Sequence, residues 1–373
     1  MPEEQNISPN TIPEGYLDPL QEKKLATIFD LLTEANKMDA SDIHLSVNER
    51  PIFRVHGELS RQNYEVITDD IIKGLLFATM SDTQKETYLR DRDIDYCMEI
   101  PDVARFRVNA LYNTKGMAVV FRIIPSKIIS FEKLNLPPVL KRIVHMQKGL
   151  VLVTGPTGSG KSTTLAAIID LINSTRDVHI VTVEDPVEFV HQSKKGFVQH
   201  REVGIHTKSF ASALKSVLRE NVDIVLVGEL RELETIQLAL SAAETGTLVF
   251  GTLHTSSAAK TVTRIIDVFP SDEQPKIRTQ LGESLQAIVA QVLLKKASGG
   301  RCAANEILFG TKGISNMIVA NQISQIANSL ETSKEEGMNS LDQALIELVK
   351  NGTVRKEDAL VHATVLDKFA DLQ

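Results

Sequence analysis

The stretch Gly155-Pro156-Thr157-Gly158-Ser159-Gly160-Lys161-Ser162-Thr163 decides how this chain is read. It fits the phosphate-loop pattern G-x-x-x-x-G-K-[ST], from Gly155 to Ser162. The flanks suit that pattern. Leu150-Val151-Leu152-Val153 reads as a buried strand feeding the loop, and residues 163–172 read as the helix leaving it. Glycines let the backbone wrap around phosphate oxygens, because they need no room for a Cβ and tolerate positive φ. The loop amides and the helix N-terminus then face the anion. In such a loop Lys161 reaches the β and γ phosphates of ATP, and the Ser162 hydroxyl ligates Mg²⁺.

Composition bounds the rest. The 373 residues suffice for two or three domains with full cores. At 42% hydrophobic and 24% charged residues the chain is of ordinary globular type. A net charge of -7 argues against a general nucleic-acid binder. No apolar run approaches membrane-spanning length, and the polar, acidic start is not a secretory signal. Cys97 and Cys302 lie far apart with no C-x-x-C, which fits a reducing cytoplasm and excludes a cysteine-based zinc site. Any membrane connection is then expected through a partner protein.

In chain order, residues 1–17 read as a disordered extension. Residues 18–124 read as an α+β domain: an amphipathic helix over 20–37, strands at 41–46 and 51–57, helix over most of 67–91, and strands at 94–100, 104–112 and 116–124. The prolines at 125, 137 and 138 suggest a linker over 125–147. From 148 to 271, strand candidates at 179–184, 223–227 and 247–254 alternate with helices. That alternation implies a parallel sheet with helices on both faces. Residues 272–373 read as mainly helical. The fold class expected is therefore α/β, in two domains.

Hydrolysis of ATP needs a carboxylate to orient a water and cations to neutralise developing charge. Two acidic clusters stand at the carboxyl ends of expected parallel strands, where this fold places its ligands. One is Glu184-Asp185-Pro186-Val187-Glu188; the other is Gly228-Glu229, after Ile224-Val225-Leu226-Val227. An apolar strand ending in Glu is the Walker B pattern, with Gly228 where many relatives have Asp. His254 ends its strand either as a hydrogen-bonding partner of the γ-phosphate or as a histidine satisfied locally. Arg105 and Arg107 share one strand face; by composition alone they and Arg122 are solvated arginines.

Together these residues resemble those of PilT-type ATPases, the retraction motors of type IV pili, within the type II/IV secretion ATPase superfamily. The resemblance runs from about residue 20 to beyond 350. It is carried by Ala40-Ser41-Asp42-Ile43-His44-Leu45-Ser46, Val103-Ala104-Arg105-Phe106-Arg107-Val108-Asn109-Ala110, the whole phosphate loop, residues 180–191, Gln199-His200-Arg201-Glu202-Val203-Gly204 and Leu248-Val249-Phe250-Gly251-Thr252-Leu253-His254-Thr255. It implies a PAS-like first domain, a RecA-like second domain, and a homo-hexameric ring with ATP bound between domains. By motif match the loop residues Gly155, Pro156, Thr157, Gly158, Ser159, Gly160, Lys161, Ser162 and Thr163 bind ATP, with Ser162 on Mg²⁺. Glu229 is the catalytic glutamate, Glu184, Asp185 and Glu188 form the Asp box, and His254 belongs to the His box. Arg105, Arg107 and Arg122 reach the nucleotide phosphates from the first domain. The partners implied are an inner-membrane pilus platform protein and a paralogous pilus ATPase. Retraction, twitching motility and DNA uptake are the functions implied, through rotation of one domain against the other.

Three positions depart from the family pattern: Thr247 replaces the first histidine of the His box, Glu232 an aspartate, and Ser315 the arginine of a C-terminal motif. They keep open an accessory, PilU-type or non-hydrolysing subunit. The other alternative is an assembly or secretion ATPase, a class that usually adds an N-terminal domain and a four-cysteine zinc motif.

Overall fold

A computed structural model of the chain describes residues 23–25, 27–55, 57–124 and 128–372. The extension expected over 1–17 lies outside the described residues. The chain divides into two units, residues 1–125 and 126–373.

The first unit begins with α1 (Ile28–Lys37), where Thr27 accepts the Asp30 amide as N-cap and Ile28, Leu31, Leu32 and Ala35 are buried. That i, i+3, i+4, i+7 spacing is what makes one helix face apolar. There follow β1 (Ala40–Ser46), β2 (Ile52–Val55), β3 (Glu58–Arg61), α2 (Asp69–Phe77), α3 (Asp82–Asp91), β4 (Asp93–Ile100), β5 (Ala104–Asn113) and β6 (Gly116–Ile124). The strands form one antiparallel sheet in the order β3-β2-β1-β6-β5-β4. Strand alternation decides its two faces. Ala104, Phe106, Val108 and Ala110 of β5 are buried in the core with Phe53, Tyr88 and Phe121. Arg105 and Arg107 therefore stand on the opposite face.

The second unit opens with α4 (Lys141–Val144) and β7 (Gly149–Thr154), then α5 (Lys161–Thr175), β8 (His179–Glu184), β9 (Phe197–Glu202), α6 (Phe210–Val217), β10 (Ile224–Val227) and α7 (Leu233–Thr245). It continues through β11 (Leu248–Leu253), α8 (Ala258–Asp267), α9 (Gln274–Ser284), β12 (Leu285–Lys295), β13 (Arg301–Phe309), α10 (Lys312–Val319), α11 (Ile326–Thr332), α12 (Leu341–Lys350) and α13 (Lys356–Leu360). The sheet order is β13-β12-β7-β11-β10-β8-β9, parallel throughout except for β13, which runs antiparallel to β12. Every residue of β7, β10 and β11 is buried, as expected of strands covered on both faces, whose apolar runs are continuous rather than alternating. The parallel order brings the carboxyl ends of β7, β11, β10 and β8 to one edge, and the phosphate loop leaves from the first of them.

Two stretches differ from the sequence-based expectation. Within 125–147, Phe131, Leu136, Leu140, Ile143 and Val144 are buried in the core of the second unit, so most of this segment packs as part of that unit. Its prolines suggested a linker, but the apolar residues around them decide the packing. Within 272–373 helices dominate, but β12 and β13 extend the sheet. The run Leu285-Gln286-Ala287-Ile288-Val289-Ala290 has neither strand alternation nor a helical stripe, and periodicity cannot tell a doubly covered strand from a buried helix. Among the described residues no helix is long and apolar enough to cross a membrane.

Candidate active site

The phosphate loop owes its shape to its glycines. Gly155, Gly158 and Gly160 have φ of 143°, 79° and 84°, values that L side chains rarely adopt. At Gly155 a Cβ would also lie 2.2 Å from the Gln291 carbonyl oxygen and 2.6 Å from Ser159 Oγ. Gly160 is the N-cap of α5, so the amides of the first turn have no intrahelical acceptor and remain for a ligand. Ser159 Oγ is buried, with no hydrogen-bond partner among the described residues. Lys161 is buried, and its Nζ donates to the carbonyls of Gly155 (2.9 Å) and Pro156 (3.1 Å). Burial pushes its ammonium below the usual lysine range, against the pull of Glu229 and Glu188. Its present acceptors are neutral carbonyls, and an anionic oxygen binds such a cation more strongly.

The expected acids gather around the same edge. Glu229 follows β10; its Oε1 lies 3.1 Å from His254 Nε2 at the end of β11 and also accepts from Arg231 Nε. Both carboxyl-end residues are thus brought together by the β10–β11 pairing, in which Val227 lies beside Gly251. Thr252 of β11 donates to the Gly228 carbonyl, and the Gly228 amide donates to Val183 of β8 at 2.7 Å. A Cβ on Gly228 would stand 3.2 Å from Glu184 Cα, so Gly228 lets β10 close against the Asp-box strand. A cavity of about 40 Å³ lies between α5 and this edge, with Ser162, Glu184, Gly228 and Thr252 on its wall. That is room for a water or two. Asp185 and Glu188 are exposed, and the Glu188 amide donates to Glu184 Oε2 at 3.4 Å.

The Asp-box loop is anchored behind this wall. Val187 N donates to Glu202 Oε2 of β9 at 3.0 Å. His191, buried, stacks on His200, and its amide donates to His200 Nε2 while His200 Nδ1 meets Thr182 Oγ1 at 2.8 Å. Burial pushes the His191 imidazole down to about 4. On the other side a hydroxyl chain runs from Thr255 to Thr261 (2.7 Å) and on to Thr154 at the root of the loop. None of His200, Thr182, Thr252, Thr261 or Gln291 was among the site residues expected. The signal available was a polar residue inside an apolar strand or helix face, and it does not say which partner such a residue meets.

Arg105, Arg107 and Arg122 belong to the first unit. Arg107 and Arg122 face each other across β5 and β6, and Arg122 pairs in turn with Asp42 of β1. Asp42, nearly buried, accepts from Arg122 Nε at 2.8 Å and from Ser41 Oγ at 2.8 Å. Burial pushes its carboxyl up, but these donors outweigh burial and hold it below the usual carboxylate range. Arg105 lies 3.9 Å from Glu99.

The three departures lie away from the phosphate loop or on exposed surface. Thr247 precedes β11 at its amino end, about 20 Å of strand from His254. Glu232 is the exposed N-cap of α7 and makes no side-chain capping bond; an aspartate there has the shorter arm that caps well. Ser315 sits on α10 against Gly282 of α9.

Comparison with known proteins identifies the family. The family model "Type II/IV secretion system protein" matches residues 21–359. The chain is 48% identical over 342 residues to the "Type IV pilus retractation ATPase PilT" of Pseudomonas aeruginosa, covering 92% of this chain and 99% of the relative. It is 35% identical over 324 residues to the "Type IV pilus ATPase PilU" of the same organism, covering 87% and 85%. A crystal structure of the pilus retraction motor PilT with bound ADP superposes with a TM-score of 0.86 at 40% identity, covering 92% of this chain and 98% of that one. The chain is a P-loop ATPase and belongs to the type II/IV secretion system protein family.

Proposed function

We propose that the chain is the subunit of a homo-hexameric motor that retracts type IV pili, and so drives twitching motility, by hydrolysing ATP. The observation that carries this reading is the near full-length similarity to a retraction ATPase, joined to a site in which Glu229, His254 and the phosphate loop share one sheet edge. In this reading the loop amides and Lys161 hold the phosphates. Glu229 orients the attacking water and takes its proton. His254 holds the Glu229 carboxylate in place. Glu184 lines the water-sized cavity, and Asp185 and Glu188 stand exposed on the loop that follows β8.

The Ser162 hydroxyl and the Glu184 carboxylate on one cavity wall are hard oxygen donors of the kind Mg²⁺ takes, and Ser162 is the residue that would hold it. When bound, Mg²⁺ would neutralise phosphate charge. Arg105, Arg107 and Arg122 add cations for the nucleotide phosphates. The motor would work in the cytoplasm, at the inner membrane, on a platform protein of the pilus.

The test is deletion of the gene with complementation by wild type or Lys161→Ala, scored for pilus number and twitching. More pili and no twitching, unrescued by Lys161→Ala, is the result expected. Loss of pili points to assembly instead. Ser315, in place of the family's arginine, favours a second reading: an accessory, PilU-like subunit. Rescue of twitching that depends on a paralogous ATPase would select it.

A further inference from the structure

Gln291 of β12 lies at the back of the phosphate loop and touches both its ends. The residue is 2% exposed. Nε2 donates to the Ser159 carbonyl at 2.5 Å, and Oε1 accepts from Thr164 Oγ1 at 2.8 Å. The orientation of the amide follows from its partners. A carbonyl oxygen only accepts, so the nitrogen must face Ser159, which leaves the oxygen for the Thr164 hydroxyl. The backbone is just as close. The Gln291 carbonyl limits Gly155, and its Nε2 stands 3.0 Å from where a Gly160 Cβ would be.

The consequence lies in the peptide joining Ser159 to Gly160. A trans peptide is planar, and its C=O and N–H point to opposite sides. Gln291 draws the Ser159 oxygen outward, toward β12, so the Gly160 N–H is turned the other way, into the loop. Glycines at 158 and 160 give the segment the freedom to turn this peptide over, and no other side-chain donor holds the Ser159 oxygen among the hydrogen bonds of the described residues. Thr164, through its own amide on the Gly160 carbonyl at 3.0 Å, fixes the far end of the same glycine.

We infer that Gln291 is a positioning residue for ATP binding and hydrolysis: it selects the one orientation of the 159–160 peptide in which the Gly160 amide donates to the nucleotide phosphate. The inference rests on the reading of residues 155–162 as the nucleotide site.

The experiment compares Gln291→Leu, Gln291→Glu and wild type, by titration with a fluorescent ADP and by phosphate release, from pH 8 down to pH 5.5. Gln291→Leu should weaken ADP binding by about tenfold to a hundredfold, the effect of losing one oriented hydrogen bond to a charged ligand. Gln291→Glu keeps the shape and the acceptor for Thr164 but puts an oxygen against the Ser159 oxygen. It should bind about as poorly as Gln291→Leu at pH 8. Burial raises the pKa of the introduced carboxyl; once protonated it can donate to Ser159 again. Its affinity, relative to wild type at each pH, should therefore recover toward pH 5.5, while that of Gln291→Leu should not.

A packing role alone predicts a loss that does not depend on pH. Wild-type affinity of either variant at pH 8, or a deficit in Gln291→Glu that stays constant with pH, overturns the inference. Should Gln291→Leu fail to fold, the pH profile of Gln291→Glu decides alone. If wild type binds no ADP that Lys161→Ala abolishes, the nucleotide-site reading fails and takes this one with it; if that control holds, the Gln291 result stands by itself.

Discussion

Glu229 Oε1 and His254 Nε2 lie 3.1 Å apart, so the residues that close β10 and β11 act at one point of the sheet edge. Glu229→Gln keeps the hydrogen-bonding shape and removes the base. Phosphate release should fall by about 10²–10⁴-fold, with ADP affinity close to wild type. His254→Ala keeps the base and loses one of the two side chains that hold it, Arg231 being the other, and a drop of roughly tenfold in kcat is expected. Turnover at the wild-type rate in Glu229→Gln would place the base elsewhere.

Gly155→Ala tests the shape of the loop. The added Cβ meets the Gln291 carbonyl at 2.2 Å, a backbone atom of a central strand that cannot step aside, and the φ of 143° is itself strained for alanine. Loss of nucleotide binding and a lower melting temperature are expected, measured by ADP titration and thermal unfolding. Gly158→Ala, with open space around its Cβ, should carry only the strain of its φ and be the milder of the two.

Acid should weaken the second unit through His191. Its imidazole is buried, beside His200, Asp170 and Lys194, and titrates near 4 against 6.5 for an ordinary histidine. The unfolded chain then binds the proton first as pH falls. Stability is unaffected above about pH 6.5 and declines from there to about pH 4, by on the order of 3 kcal/mol. Urea unfolding across this range should show the slope, and His191→Gln should flatten it. An unchanged slope in that variant would assign the acid lability to other groups.

Asp42 organises the arginine face of the first unit. Asp42→Asn should cost about 1–2 kcal/mol at neutral pH, since Arg122 loses a charged partner but is exposed enough to be solvated. The stability that Asp42 gives is present above the ordinary Asp range and is lost as pH falls through its lowered value, so the variant and wild type should converge in acid. Arg107, exposed on the same face, should behave differently. Arg107→Ala is expected to leave the melting temperature within a degree or two and to lower ATP turnover, which phosphate release measures.

The sequence was most legible where local chemistry decides the outcome. The caps follow that rule: Ser209 begins α6, Ser340 begins α12 and Gly246 ends α7, each a residue type suited to its position. The phosphate loop and the acid after Ile224-Val225-Leu226-Val227 were legible for the same reason. It was least legible where a residue's meaning depends on a partner far along the chain. β12 pairs on one side with β13 and on the other with β7, more than a hundred residues earlier, and an apolar run carries no record of its neighbour. The same holds for Gln291, whose partners Ser159 and Thr164 precede it by 132 and 127 positions.

By itself, then, the sequence determined that residues 155–162 form a glycine-rich loop of phosphate-binding pattern at a helix start, because glycine stereochemistry, the lysine charge and the helix start are properties of adjacent residues. Only the tertiary structure decided how that loop is held. The pairing of β10 with β11 sets Glu229 against His254, and the insertion of β12 beside β7 turns a buried glutamine into the clamp behind the loop. Hydrogen bonds are short-ranged and directional, so only the packed sheet can say which polar groups meet.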